Sequence, residues 1–165
     1  EVVVPSLEDA SVAHRVIMLA EAFSYHDRNL RNRPQDYGEM VRAWFRIGGL
    51  FTASDYVQAQ RLRNTLKHEF AEVLQKVDLV ASPTMSNPAP RFEHADVMST
   101  HRVPSFTSPF NMTGMPAISV PCGFTTTGLP VGLQLAGRPF DEPAVLRTAY
   151  TYQQHVRLID RRPEL

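Results

Sequence analysis

A handful of side chains could do chemistry: one cysteine, six histidines, two lysines, and a serine set in a strand-like run. Ser119 lies in "AISVP". A nucleophilic serine needs an adjacent base and an exposed, sharply turned position. "AISVP" offers no Gly-x-Ser-x-Gly turn and no histidine nearby in sequence, so Ser119 reads as structural, on a strand expected to be buried. Cys122 follows Pro121 at the end of that strand, with Arg138 the nearest basic residue in sequence. A free cysteine there behaves as a small apolar filler. Among His14, His26, His68, His94, His101 and His155, no pair has the spacing of a helical zinc motif. His94 and His101 lie in one loop segment with Glu93 and Asp96, at a spacing that fits a solvated loop better than a metal site. Lys67 and Lys76 both fall near the C-terminal half of one helical stretch, where cations complement the helix dipole. No Gly-rich phosphate loop is present, and "IGGL" reads as a helix stop.

The elements that position these groups alternate in type. "EVVVP" reads as a short buried strand closed by Pro5. Glu8 and Asp9 then precede a helix with Val12, Val16, Leu19, Ala20 and Phe23 on one stripe, ending near Tyr25-His26. "DRNLRNRPQDYGEM" reads as polar and turn-rich. A second helix covers Glu39 to Ile47 and stops at Gly48-Gly49. Ser54 caps a third, which carries Tyr56, Ala59, Leu62, Leu66, Phe70, Val73 and Leu74 on one face and runs to about Val77. "DLVASPT" is a strand leading into a loop. The segment from Met85 to Phe110 holds four prolines and little periodicity, and such long irregular segments are often functional. Ala117 to Cys122 and Val131 to Ala136 form a hairpin across "TTTG". Asp141 caps a last helix with Pro143 in its first turn and Val145, Ala149, Tyr152 and Val156 buried. Strand, helices, strand, long loop, hairpin, helix is a mixed α/β order. About four strands are too few to bury one another, so a mixed β-sheet flanked by helices is expected, and an incomplete one.

Length and composition bound the rest. The 165 residues suit one domain without a separate linker and can bury a core. Apolar content of 43% and charged content of 21% are those of an ordinary globular protein. Lys+Arg and Asp+Glu are both 17, which argues against nucleic-acid and anionic-membrane partners. One cysteine rules out an internal disulfide framework and multi-cysteine metal sites, and fits a reducing, cytoplasmic setting. No apolar run approaches the roughly 18 residues that span a bilayer. Opening on a core strand without a methionine suggests a piece cut from a longer protein.

"SFTSPFNMTGMPAISVPCGFTTTGLPVGLQLAGRPFDEPAVLRTAYTYQQ", residues 105–154, resembles the C-terminal region of the amidase signature family. The shared pattern is Pro-Phe-Asn, a Thr-Gly-x-Pro turn, a strand ending in Val-Pro, a Gly-Leu-Pro-x-Gly-Leu-Gln strand and a Gly-Arg-Pro-Phe-Asp-Glu helix start. "AEAFSYH", "DYVQAQRLRNTLKHEF" and "DLVASPT" agree more loosely, with Ser82 where the family more often has Thr. Within this pattern Gly114 is expected to supply a backbone angle other residues resist, and Gly132 to thin a strand where something packs closely. The resemblance implies an amide hydrolase using a Ser–Ser–Lys triad carried by a Gly/Ser-rich signature upstream, without metal or cofactor. This chain has no such stretch, so no catalytic residue carries over and the chain alone is expected to be inactive. What carries over is substrate lining: Pro83 and Thr84 after the "ASPT" strand, and Phe106, Thr107 and Ser108 before Pro-Phe-Asn. Thr107 is expected to hydrogen-bond a substrate amide, Phe106 to wall the pocket, and Asn111 to tie the turn backbone. The partner implied is a small-molecule amide, with homo-oligomers allowed and an exposed apolar face expected where the rest of the enzyme docks. Two alternatives stay open: a non-catalytic binding or interaction subunit, and the glutamine-hydrolysing subunit of a tRNA-dependent amidotransferase.

Overall fold

Proline and glycine breakers divide the chain into segments whose contacts fall into two compact units: Val4–Glu69, and Glu1–Val3 together with Phe70–Leu165. The computed structural model describes residues 1–94 and 105–158. The segment of His101 and Asp96 therefore lies outside the described residues, and with it the question of a metal in that loop.

The Val4–Glu69 unit is helical among its described residues. "EVVVP" is not a strand: residues 1–4 are irregular, Val2 and Val3 are exposed, and Pro5–Leu7 is a single 3-10 turn. A β-branched run has no strand character of its own without a partner to pair with. The Ser6 N–H (3.0 Å) and hydroxyl (2.7 Å) both donate to the Glu69 carboxylate, which anchors this turn. Helix α1 spans Ala10–Asn32 and passes straight through the stretch expected to be a turn. Asp27 and Arg31 stand one helical turn apart and pair at 2.9 Å, and nothing breaks the helix before Pro34. Its buried positions are Ala10, Ala13, Ile17, Leu19 and Leu30, so the apolar stripe is rotated from the expected one and Val12 is exposed.

Helix α2, Glu39–Gly48, packs on α1. Gly48 permits the approach, because a Cβ there would collide with the Leu19 carbonyl and come within 2.9 Å of the Phe23 Cβ. Helix α3, Ala53–Leu74, is capped by Thr52, not Ser54. Thr52 Oγ1 accepts from the Asp55 N–H (3.1 Å), and the Asp55 carboxylate accepts from the Thr52 N–H (2.8 Å) and hydroxyl (2.7 Å). This reciprocal box satisfies two otherwise orphaned donors. Ala59, Leu66, Phe70, Val73 and Leu74 are buried along α3 as its spacing predicts, and the helix stops three residues before Val77.

The second unit is a three-stranded sheet with helices. Strands β1 (Leu79–Pro83), β2 (Ala117–Phe124) and β3 (Pro130–Gly137) lie in the order β1-β3-β2, both pairs antiparallel. The α/β class and the open sheet stand, while the fourth strand expected at the N-terminus is lost with "EVVVP". The hairpin turn is built by Gly128 at φ +83°, with the Thr125 carbonyl accepting from the Gly128 N–H and the Thr125 N–H donating to Leu129. Helix α4 (Ser108–Thr113) is a short helix where the sequence reading has only a turn. It ends at Gly114, whose φ of +74° is the backbone angle foreseen there. The turn is tied by the Gly114 and Met115 N–H groups donating to the Phe110 carbonyl, while Asn111 sits exposed on the helix.

Helix α5 (Glu142–Val156) is capped by Asp141, which accepts from the Ala144 N–H at 3.3 Å. It packs on β2 and β3, burying Val120, Leu135 and Ala149 with Ile118, Leu133 and Tyr152 around them. Arg138, just past β3, donates to the Leu74 carbonyl (2.6 and 3.1 Å) and the Val77 carbonyl (3.1 Å), closing the C-terminal end of α3 with a cation. Among the described residues no helix is long and apolar enough to cross a membrane.

Candidate functional site

Register places a row of polar side chains on one side of the sheet. Ser82 of β1 and Ser119 of β2 each stand opposite Gln134 of the central β3. Because side chains alternate along a strand, these three share the face that Ile118, Val120, Leu133 and Leu135 leave. Gln134 is buried, and its Nε2 donates to Ser82 Oγ (3.1 Å) and to the Phe106 carbonyl (2.9 Å). Both amide hydrogens are thereby used, one on a strand and one on the segment that leads into α4.

One residue past β1, the Thr84 N–H donates to the Gly132 carbonyl at 2.9 Å, continuing the ladder. The Thr84 and Ser119 hydroxyls meet at 2.6 Å, directly over Gly132. A Cβ on Gly132 would stand 2.7 Å from each of those two oxygens, so the thin strand expected at this glycine makes room for a hydroxyl pair. Ser119 is therefore not on a buried strand position: it is exposed, on the polar face. Cys122 is displaced by a bulge between Pro121 and Gly123, which takes it out of the Ile118–Val120 alternation. It is half-buried, and its thiol reaches the Val131 carbonyl at 3.4 Å.

Beside this pair opens a cavity of about 520 Å³ lined by Pro83 to Ala89, Phe106, and Pro130 to Gly132. Among the described residues its polar lining consists of Thr84, Ser86 and Asn87, and none of those lining residues carries a titratable side chain. Of the five residues singled out from sequence, Pro83, Thr84 and Phe106 line the cavity. Thr107 and Ser108 do not: Thr107 is the N-cap residue of α4 with its hydroxyl 3.2 Å from Ser105 Oγ, and Ser108 is buried with its N–H donating to that same oxygen. Sequence reasoning assigns neither Ser119 nor Gln134 to the site. Each is a lone polar residue between two aliphatic ones, and that alternation is the available signal. Among the described residues no three of His, Cys, Asp and Glu gather as metal ligands would. The arrangement can hold a mostly apolar group and hydrogen-bond it, and its described residues include no base to activate a nucleophile.

The amidase family model matches residues 3–146. The chain belongs to the amidase family. It is 38% identical over 176 residues to an amidase of Pseudomonas putida, covering 100% of this chain and 37% of that protein. It is 34% identical over 188 residues to a glutamyl-tRNA(Gln) amidotransferase subunit of Methanosarcina barkeri, covering 99% of this chain and 39% of the relative. A crystal structure of an amidase superposes with a TM-score of 0.83 at 26% identity, covering 94% of this chain and 37% of that one. The chain thus spans less than two fifths of the length of these family members, and the amidase-family hairpin, cavity and α4 lie within that span.

Proposed function

We propose that this chain is the C-terminal portion of an amidase and supplies the wall that holds the acyl part of a small amide. A Ser–Ser–Lys triad elsewhere in the enzyme would break the C–N bond through an acyl-enzyme. Such a reaction needs a nucleophile, a base, and a surface that fixes the acyl group while the amine leaves. The observation that carries the reading is the cavity itself: an apolar wall of Phe106, Pro83 and Val131 with Thr84 as a polar contact, and no ionisable group among its described lining residues. That composition suits substrate positioning, and the family membership supports an amide as the substrate class. Thr107 and Ser108 act at one remove in this reading, by starting the helix behind Phe106. The setting is taken as cytoplasmic.

The test is an amide hydrolysis assay on the 165-residue chain beside the complete enzyme. Ammonia release is expected from the complete enzyme, with none above buffer from the chain alone. Turnover of a simple amide by the isolated chain would overturn the proposal. A second reading, a glutamine-hydrolysing amidotransferase component, is favoured by the similarity to the glutamyl-tRNA(Gln) amidotransferase of Methanosarcina barkeri. It predicts that the complete protein releases ammonia from glutamine in preference to aliphatic amides.

A further inference from the structure

We propose that the Thr84–Ser119 hydroxyl pair is the polar anchor of the cavity and takes a carbonyl oxygen carried by the substrate's acyl part. The inference rests on the reading of the cavity as an acyl site. It goes further by naming the chemistry that the site prefers.

The argument is one of proton accounting. Two hydroxyls hold two protons, and a 2.6 Å contact between them uses one. The other must be donated outward. Among the described residues neither hydroxyl has a second hydrogen-bond partner to take it. When Ser119 donates to Thr84, the outward proton is the one on Thr84, and Thr84 is the member of the pair that lines the cavity. On the sheet side the pair meets Gly132, which has no side chain to accept a bond. In the neighbouring polar row both Gln134 amide hydrogens are committed, to Ser82 Oγ and to the Phe106 carbonyl. Phe106, Pro83, Pro130 and Val131 present mainly hydrocarbon around this donor. Beside the other polar lining residues, Ser86 and Asn87, a donor at Thr84 favours a ligand with an acceptor at that point, because an apolar ligand leaves the Thr84 proton unpaired.

The experiment uses the complete enzyme that carries this chain, assayed on hexanamide and on its 4-oxo and 5-oxo analogues. With the native residues, one of the oxo-amides is expected to show a KM several-fold below that of hexanamide. Thr84→Val keeps the shape and removes the hydroxyl, and is expected to raise that oxo-amide's KM roughly three- to ten-fold more than it raises the KM of hexanamide. Thr84→Ser restores the preference, and Ser119→Ala, which removes the partner that orients the proton, gives a smaller loss of the same kind. Equal losses on all three amides would overturn the inference and leave the cavity as an acyl site whose hydroxyls merely shape the wall. Ala89→Trp, which fills the cavity, separates the two readings. If it and Thr84→Val both leave every KM unchanged, the acyl-site reading falls and the anchor falls with it.

Discussion

Toward α5, the sheet presents Ile118, Val120, Leu133 and Leu135 against Ala149 and Tyr152. On the other side, the same three strands carry Ser82, Ser119 and Gln134, with Thr84 joined to Ser119 at the strand end. The first face is held by volume: each side chain excludes water and fills space, and any aliphatic residue of similar shape would serve. The second is held in large part by direction, since its polar side chains meet through hydrogen bonds. On the function proposed above, this division would separate the part that keeps the sheet folded from the part that meets the substrate. Mutations on the two faces should therefore fail in different measurements.

The largest effect is expected from the apolar face. Leu135→Ala removes a buried side chain from the α5 contact and should cost about 3 kcal/mol of unfolding free energy in urea titration. KM and kcat of the complete enzyme, measured on the folded fraction, should not move. A change in KM as large as that from a polar-face variant would break the comparison.

Gln134→Met comes next, at about 2 kcal/mol. The replacement has nearly the same length, but it leaves Ser82 and the Phe106 carbonyl without their common donor. Unlike Leu135→Ala it should also raise KM, because the Phe106 segment loses its tie to the sheet. Gly132→Ala is smaller in stability, about 1 kcal/mol, since the clashing atoms are the tips of two rotatable hydroxyl side chains. It forces Thr84 and Ser119 apart, so its effect on oxo-amide KM should match that of Thr84→Val. Asp141→Ala removes the cap of α5, the helix that covers the apolar face, and should cost about 1 kcal/mol with no change in KM.

The two faces are not equally legible in the sequence. The hairpin can be read because Gly128 and the alternation around it are local signals, and helix α5 because an acidic cap, an early proline and a buried stripe agree. The polar face escapes such reading because its meaning lies in register. Ser119 matters only when set opposite Gln134, and Gln134 only when Ser82 and the Phe106 carbonyl come within reach. Those partners lie 52 and 28 residues away in sequence. Helix α4 is six residues long, too short for a periodic signature, so Thr107 and Ser108 look like free loop residues. "EVVVP" and residues 27–32 mislead in opposite directions. Valine's preference for strands counts for nothing without a partner strand, and polarity does not end a helix that has no proline or glycine in it.

The smallest effect sharpens the comparison from outside it. Ile118, Val120, Leu133 and Leu135 on one side, and Ser82, Thr84, Ser119 and Gln134 on the other, hold no group that ionises between pH 5 and 8. The pH dependence of stability should then originate elsewhere, and His14 on α1 is the candidate. Burial, with a lesser contribution from the Arg15 charge, lowers its pKa below the usual imidazole value. The unfolded chain therefore binds a proton that the folded chain resists, so stability is full above the ordinary histidine pKa and declines as pH falls below it. Asp55 obeys the same sign in a separate window. Its hydrogen bonds from Thr52 lower its pKa, and that contribution disappears only as pH drops through the carboxylate range. A denaturation midpoint followed from pH 8 to 5 should fall modestly, and His14→Gln should flatten that slope while leaving the acid limb in place. If the slope survives His14→Gln unchanged, another group carries the pH dependence and the assignment to His14 is wrong.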